Sequence, residues 1–282
     1  VMVAIMTRSL RTGFWLGWKI ESNWTDPLLF FIYSVARPLG GALILVAMFF
    51  AVSGGEHGPV LDFFVIGSAF WPFVLAGLTG MAMAVLEDRE HWKMVRPVYT
   101  SPVWWPGYIV GRALALMASV GAGGAAVTLV VGALVLRVPF AVTPGDLVYV
   151  SVALALGVVS VIALGLLSVA AALSVSREAW HLPEAISASL YLVSGAIFPV
   201  DVLPGALRAI AQALPLTWWL EATRRGLLPA GGRFSFPSLT EAEVLAALAA
   251  STAVWLLVAV AVFTWAERRA RRLGVLDRET GF

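Results

Sequence analysis

Residues 147–173 read LVYVSVALALGVVSVIALGLLSVAAAL, 27 consecutive positions without one charged side chain. About 20 apolar residues in helical form cross a hydrocarbon core roughly 30 Å thick, so this run is long enough to span a membrane. Working outward, five further apolar runs lie at 28–52, 61–86, 113–136, 184–200 and 244–266, the fifth in chain order being the shortest. The chain has 282 residues, 60% hydrophobic and 13% charged, with a mean hydropathy of +0.88, which leaves too little polar surface for a water-soluble globule. The expected fold class is an all-α polytopic membrane protein: six transmembrane helices in one domain over residues 1–282.

Orientation follows from lysine and arginine, which collect on the cytoplasmic side. With both termini inside, thirteen of the 19 basic residues fall in cytoplasmic segments and five fall outside, with Arg37 in the first span. The net charge of +2 then reflects cytoplasmic loops, and no nucleic-acid partner is implied. Residues 1–26 place Met6, Leu10, Phe14, Ile20 and Trp24 on one side of a helix and Arg8, Arg11 and Lys19 mostly on the other. This pattern predicts an amphipathic helix in the inner interface, anchored by Trp15, Trp18 and Trp24. Residues 198–230 recur apolar at helical spacing, yet Pro199, Pro204 and Pro215 divide them. Two short re-entrant or extracytoplasmic helices are expected there.

Several chemistries are absent. A P-loop needs lysine followed by serine or threonine, whereas Lys19 precedes Ile20 and Lys93 precedes Met94. There is no cysteine, and His57, His91 and His181 are far apart, so no metal site is expected. Span interiors hold almost no carboxylates of the kind that mark ion pathways.

Charge instead concentrates in EDREHWKMVR, residues 87–96, where six of ten residues are charged. Topology puts it in a cytoplasmic loop, 87–112. The helix of the second span is expected to continue to Val95 or Arg96 and to end at Pro97 and Pro102. Such an elbow is either a solvated helix end or a surface that docks a soluble partner.

LEDRE (86–90), followed by YTSPV (99–103) and GYIVGR (107–112), resembles the loop of the type-2 ATP-binding-cassette exporter permeases. The segment SGAIFPVDVLPGALRAIAQALPLTWWLEATRRGLL (194–228) resembles that family's second hallmark: a proline turn, a short amphipathic helix and a Leu-Pro-Leu-Thr step. The resemblance implies a permease subunit that is not itself catalytic. It implies a second permease copy, a cytosolic ATPase subunit carrying ATP and Mg2+, and no cofactor on this chain. Glu87, Asp88, Arg89, Glu90, Lys93 and Arg96 would couple to the ATPase. The first and fifth spans would help form the interface between permeases.

One departure is the pair Arg37-Pro38, where the family commonly has an apolar residue before the proline. Arg37 either meets an anionic head group or polar substrate, or snorkels or pairs with Asp26 or Glu21. Ser187, Tyr191 and Ser194 join it as substrate-path candidates. Sparse polar residues in the spans suit a lipophilic or amphiphilic cargo, a drug-like compound or a lipid. An ion-coupled carrier and a non-transporting membrane anchor remain as alternatives.

Overall fold

The computed structural model describes residues 2–23, 58–174 and 180–274, with scattered positions between 26 and 51. Every regular element described is helical. The chain begins with α1 (Met2–Ser22). Then come α2 (Pro59–Glu90), α3 (Val95–Thr100), α4 (Trp105–Leu134) and α5 (Pro144–Ser174). Beyond lie α6 (Leu182–Val193), α7 (Gly205–Ala213), α8 (Pro215–Leu227) and α9 (Glu241–Leu273). Among the described residues, α2, α4, α5 and α9 are long and apolar enough to cross a membrane. At 30 to 33 residues each, they run about 45–50 Å at 1.5 Å per residue. The expected first span, 28–52 with Arg37, falls outside the described residues except for scattered positions such as Leu29, Ala36 and Leu43, which are helical; the interfacial Trp24 also lies outside them.

Local chemistry sets the boundaries. Pro59 opens α2, where its missing N–H costs nothing. Thr240 and Glu243 cap α9 reciprocally, side chain to backbone in both directions. At the far end Gly274 takes φ 64, closing α9 after Arg271 and Arg272. Pro72 lies inside α2, and a π-helical turn, Leu75–Thr79, follows it. A second π-helical turn, Met117–Gly121, interrupts α4. The two turns are neighbours: space beside Gly77 is taken by Met117, and space beside Gly121 by Phe73.

Two apolar cores stack along the bundle. One gathers Leu61, Phe70, Trp71, Trp219, Leu220 and Leu248. The other gathers Met81, Val85, Trp105, Ile109, Leu166 and Phe263 around the ends of α2 and α4 that flank α3. The second is called the elbow end below, the first the hairpin end.

The expected fifth span, 184–200, is corrected. Helix α6 has only 12 residues, about 18 Å, which is short of the core thickness. It stops because the chain turns at Ser194 into Gly195, whose φ of 78 suits glycine alone. Two short helices, α7 and α8, follow it. Their tip at Leu214-Pro215 lies level with Trp255, whose Nε1 donates to the Ala213 carbonyl at 2.7 Å. Trp255 is about 21 Å along α9 from its start. From the tip α8 runs back until Gly226 meets Val150 near the start of α5. The pair forms a short hairpin of two helices divided at Pro204 and Pro215.

Candidate functional site

At the elbow end α2 stops at Glu90, earlier than expected. Lys93 adopts φ 51, a left-handed conformation that no helix continues through. The Met94 N–H donates to the Asp88 carbonyl at 2.8 Å, closing the turn. Helix α3 then starts at Val95, with Pro97 in its first turn. Proline at that place opens a helix instead of ending one, which corrects the expected boundary. Trp105–Arg112, expected as loop, form the first turns of α4.

The charges of the elbow divide into two groups. Asp88 is 5% exposed and Arg89 4%, so neither lies on the projecting surface where the sequence reading put them. Asp88 Oδ1 pairs with Arg112 Nη1, and Asp88 Oδ2 accepts from the Tyr108 hydroxyl at 3.0 Å. Arg112, 4% exposed, also donates to the Ala84 carbonyl at 3.3 Å and lies 3.7 Å from Glu87 Oε2. Glu90 takes Arg89 on Oε1 at 2.9 Å and the Trp180 indole N–H on Oε2 at 2.9 Å. Exposed positions are His91, Trp92, Lys93, Pro97 and Thr100. Arg96 lies in α3, its side chain outside the described residues.

The elbow is also tied to its neighbours. The Tyr99 hydroxyl donates to Glu267 Oε1 at 3.0 Å, and Glu267 pairs with Arg271, whose guanidinium lies 4.7 Å from the Tyr99 ring centroid. Burial, followed by the Glu267 charge, pushes the Tyr99 phenol well above its ordinary range, so it stays a donor at physiological pH. Through Glu90–Trp180 the elbow reaches the foot of α6, and through Tyr99–Glu267 it reaches α9.

A third tie was not anticipated. Helix α1 lies against α4 through Ser9, Gly13 and Gly17, its three buried residues. A Cβ on Gly13 would stand 2.2 Å from the Tyr108 carbonyl oxygen, and one on Gly111 2.3 Å from that of Leu10. Ser9 Oγ accepts the Trp104 N–H at 2.8 Å. The crossing is backbone against backbone, which only small residues allow. The sequence carried the sign of this: Ser9, Gly13 and Gly17 recur every fourth residue, as do Gly107, Gly111 and Ala115. Met6, Leu10 and Phe14, expected as the apolar face of an interfacial helix, flank the seam and are exposed within the chain, as are Trp15 and Trp18.

The substrate-path candidates separate. Ser187 is buried against α2, its hydroxyl 2.6 Å from that of Thr79 and bonded to the Pro183 carbonyl. Ser194 is fully buried at the end of α6. Tyr191 packs on Trp71 at 4.5 Å between centroids. None of the three is among the described residues lining the grooves beside α9. The exposed residues of α6 are Glu184 in its first turn, then Ala185, Ala188, Ser189 and Leu192.

At the hairpin end, fully buried Glu221 accepts from the backbone N–H groups of Ser235 and Phe236 and pairs with Arg225. Arg224 donates to the carbonyls of Phe63 and Gly195 and lies over the Phe63 ring. These bonds fix α8. The Trp219 indole fills the notch at Gly157, where a Cβ would come within 2.0 Å. Among the described residues, no three His, Cys, Asp or Glu side chains cluster as metal ligands would.

A bundle of membrane-length helices with a pinned elbow at one end and a short helical hairpin at the other is the architecture of a polytopic helical membrane protein. The family described as ABC-2 type transporter matches residues 10–228, from within α1 through the last turn of α8, and the chain belongs to that family. It is accordingly a permease component of an ABC transporter, located in a membrane. No curated protein matches the chain.

Proposed function

We propose that this chain is the membrane subunit of an ABC exporter that moves a lipophilic or amphiphilic substrate and is driven by a separate cytosolic ATPase carrying ATP and Mg2+. The observation that carries the reading is the construction of the elbow. Its exposed tip, Trp92, Lys93 and the α3 surface, stands on a base in which Asp88, Tyr108 and Arg112 are internally bonded. The tip is tied to α1, α6 and α9, so displacement at α3 reaches several helices together. That is what a lever pushed by a motor requires. Docking falls to His91–Lys93 and the outer side of α3, with Glu87 at the margin, and Asp88 and Arg89 hold the base. Both termini lie on this cytoplasmic side of the cell membrane.

The second permease copy meets α6, whose small outward residues allow close approach. The described positions between 29 and 51 are nearly all exposed within the single chain, which suits a path or interface completed by another copy. Substrate passes between the copies. The test is reconstitution with the cytosolic ABC ATPase subunit that co-purifies with this chain. A lipophilic substrate should stimulate ATP hydrolysis, and Trp92→Ala with Lys93→Glu should abolish stimulation while leaving membrane insertion intact. Transport driven by an ion gradient with no ATPase present would overturn the reading.

A further inference from the structure

The elbow half of α9 borders an open groove of about 940 Å3. Its wall changes character along the helix. Leu257 and Val260 are 73% and 50% exposed, Trp265 follows, and then Arg268, Arg269 and Arg272 line the end. Arg271 is absent from this wall because it turns to the other side of α9, to Glu267 and Tyr99. No acidic side chain lies among the described lining residues. Arg268 and Arg272 are one turn apart on the same face, and the Arg269 guanidinium lies 5.3 Å from the Trp265 ring centroid.

Three like charges in one groove repel each other. A helix C-terminus compensates this only in part, and its dipole is served equally by Arg271. An occupant that satisfies the α9 wall must be apolar along Leu257 and Val260 and anionic at the arginines. We infer that this groove binds one anionic phospholipid from the leaflet at the elbow end, with the headgroup phosphate at Arg268, Arg269 and Arg272 and an acyl chain along Leu257 and Val260. Arginine suits phosphate because its planar fork donates two parallel bonds. The site is separate from the proposed transport path and does not depend on that reading.

The test uses the full chain in detergent micelles, with equal amounts of phosphatidylglycerol and phosphatidylcholine, and native mass spectrometry counts the lipid retained. Each surface arginine contributes an attraction worth a severalfold change in binding to anionic lipid, so phosphatidylglycerol should be preferred by about tenfold or more. Combined substitution of Arg268, Arg269 and Arg272 by Gln should remove the preference. Because that variant also alters the basic flank used for insertion, Ala261→Trp offers a second route: it fills the groove and keeps every charge. It should lower phosphatidylglycerol retention to a similar degree. Combined Arg8→Gln and Arg11→Gln, on the exposed side of α1, should leave the preference unchanged. Equal retention of the two lipids by the unaltered chain, or preference surviving both groove variants, overturns the inference. Loss of preference in the α1 variant overturns it too, by showing attraction to charge in general. Displacement of the lipid by millimolar inorganic phosphate would replace it with a phosphate site.

Discussion

Asp88→Ala should be among the most damaging single changes at the elbow. The substitution removes the carboxylate that pairs with Arg112 and accepts from Tyr108, both in a region closed to solvent. Removing one partner of a buried ion pair typically costs about 3–5 kcal/mol, because the other charge stays buried without compensation. Here Glu87 Oε2 remains 3.7 Å from Arg112, and its side chain is 42% exposed, so compensation is partial and screened. The expected loss is therefore near the lower figure, about 3 kcal/mol, which corresponds to a drop of about 6–12 °C in thermal midpoint. The assay is thermal unfolding of purified protein in detergent, followed by tryptophan fluorescence. The combined change Asp88→Leu with Arg112→Met removes both charges and should recover more than half of the loss. What remains is mainly the Tyr108 hydroxyl without its acceptor, about 1 kcal/mol. Glu87→Ala, at the exposed margin, should cost under about 1 kcal/mol. An Asp88→Ala protein as stable as the parent, or a double variant no better than the single one, would show that the pair does not hold the elbow.

Other perturbations reach the elbow's ties one at a time. Tyr99→Phe removes the bond to Glu267 and keeps the ring, so ATPase stimulation should fall severalfold while the thermal midpoint moves by no more than a few degrees; ATP hydrolysis in reconstituted membranes measures it. Gly111→Leu places side-chain atoms where the Leu10 carbonyl stands and should release α1 from α4, read as new protease cleavage within residues 2–22; an intact protease pattern would refute the seam. Glu221→Ala leaves the Ser235 and Phe236 N–H groups and Arg225 without their shared acceptor, an expected loss of about 3 kcal/mol in the same unfolding assay. Lys93→Gly relieves the strain that φ 51 places on most residues with a Cβ, worth up to about 1 kcal/mol, and gives up the lysine's own side-chain interaction, so it should be more stable than Lys93→Val, which loses the interaction and keeps the strain; the same unfolding assay compares them.

Helix positions were legible in the sequence wherever one long apolar run decided them. The runs at 147–173 and 244–266 fall inside α5 and α9, and the prolines of 198–230 mark the two short helices. Two other features needed the third dimension. Six charges in ten residues read as a solvated surface, because the partner that buries Asp88 is Arg112, 24 residues away across the α3 turn. The seam between α1 and α4 was present as two four-residue repeats of small residues, but helical-wheel reasoning ranks faces by hydrophobicity, and glycine has no side chain to be ranked. In a bilayer that ranking fails for a physical reason: lipid competes equally for apolar side chains, so close backbone approach decides which faces meet. The same reasoning assigns different mechanical characters along the bundle. At the elbow end, ion pairs and a glycine seam bind α1, α2, α3 and α4 into one block. Just above that block, α2 and α4 each carry a π-helical turn, side by side at Gly77 and Met117. Such turns register less efficiently than α-helix and commonly sit where a helix bends in function. On the proposed coupling, a push on α3 is carried rigidly as far as these turns and converted to bending there, next to the Thr79–Ser187 contact that joins α2 to α6. On that coupling, Ser187 therefore belongs to the joint between the lever and α6 and not to a surface that meets cargo, because its hydroxyl is already spent on Thr79 and the Pro183 carbonyl.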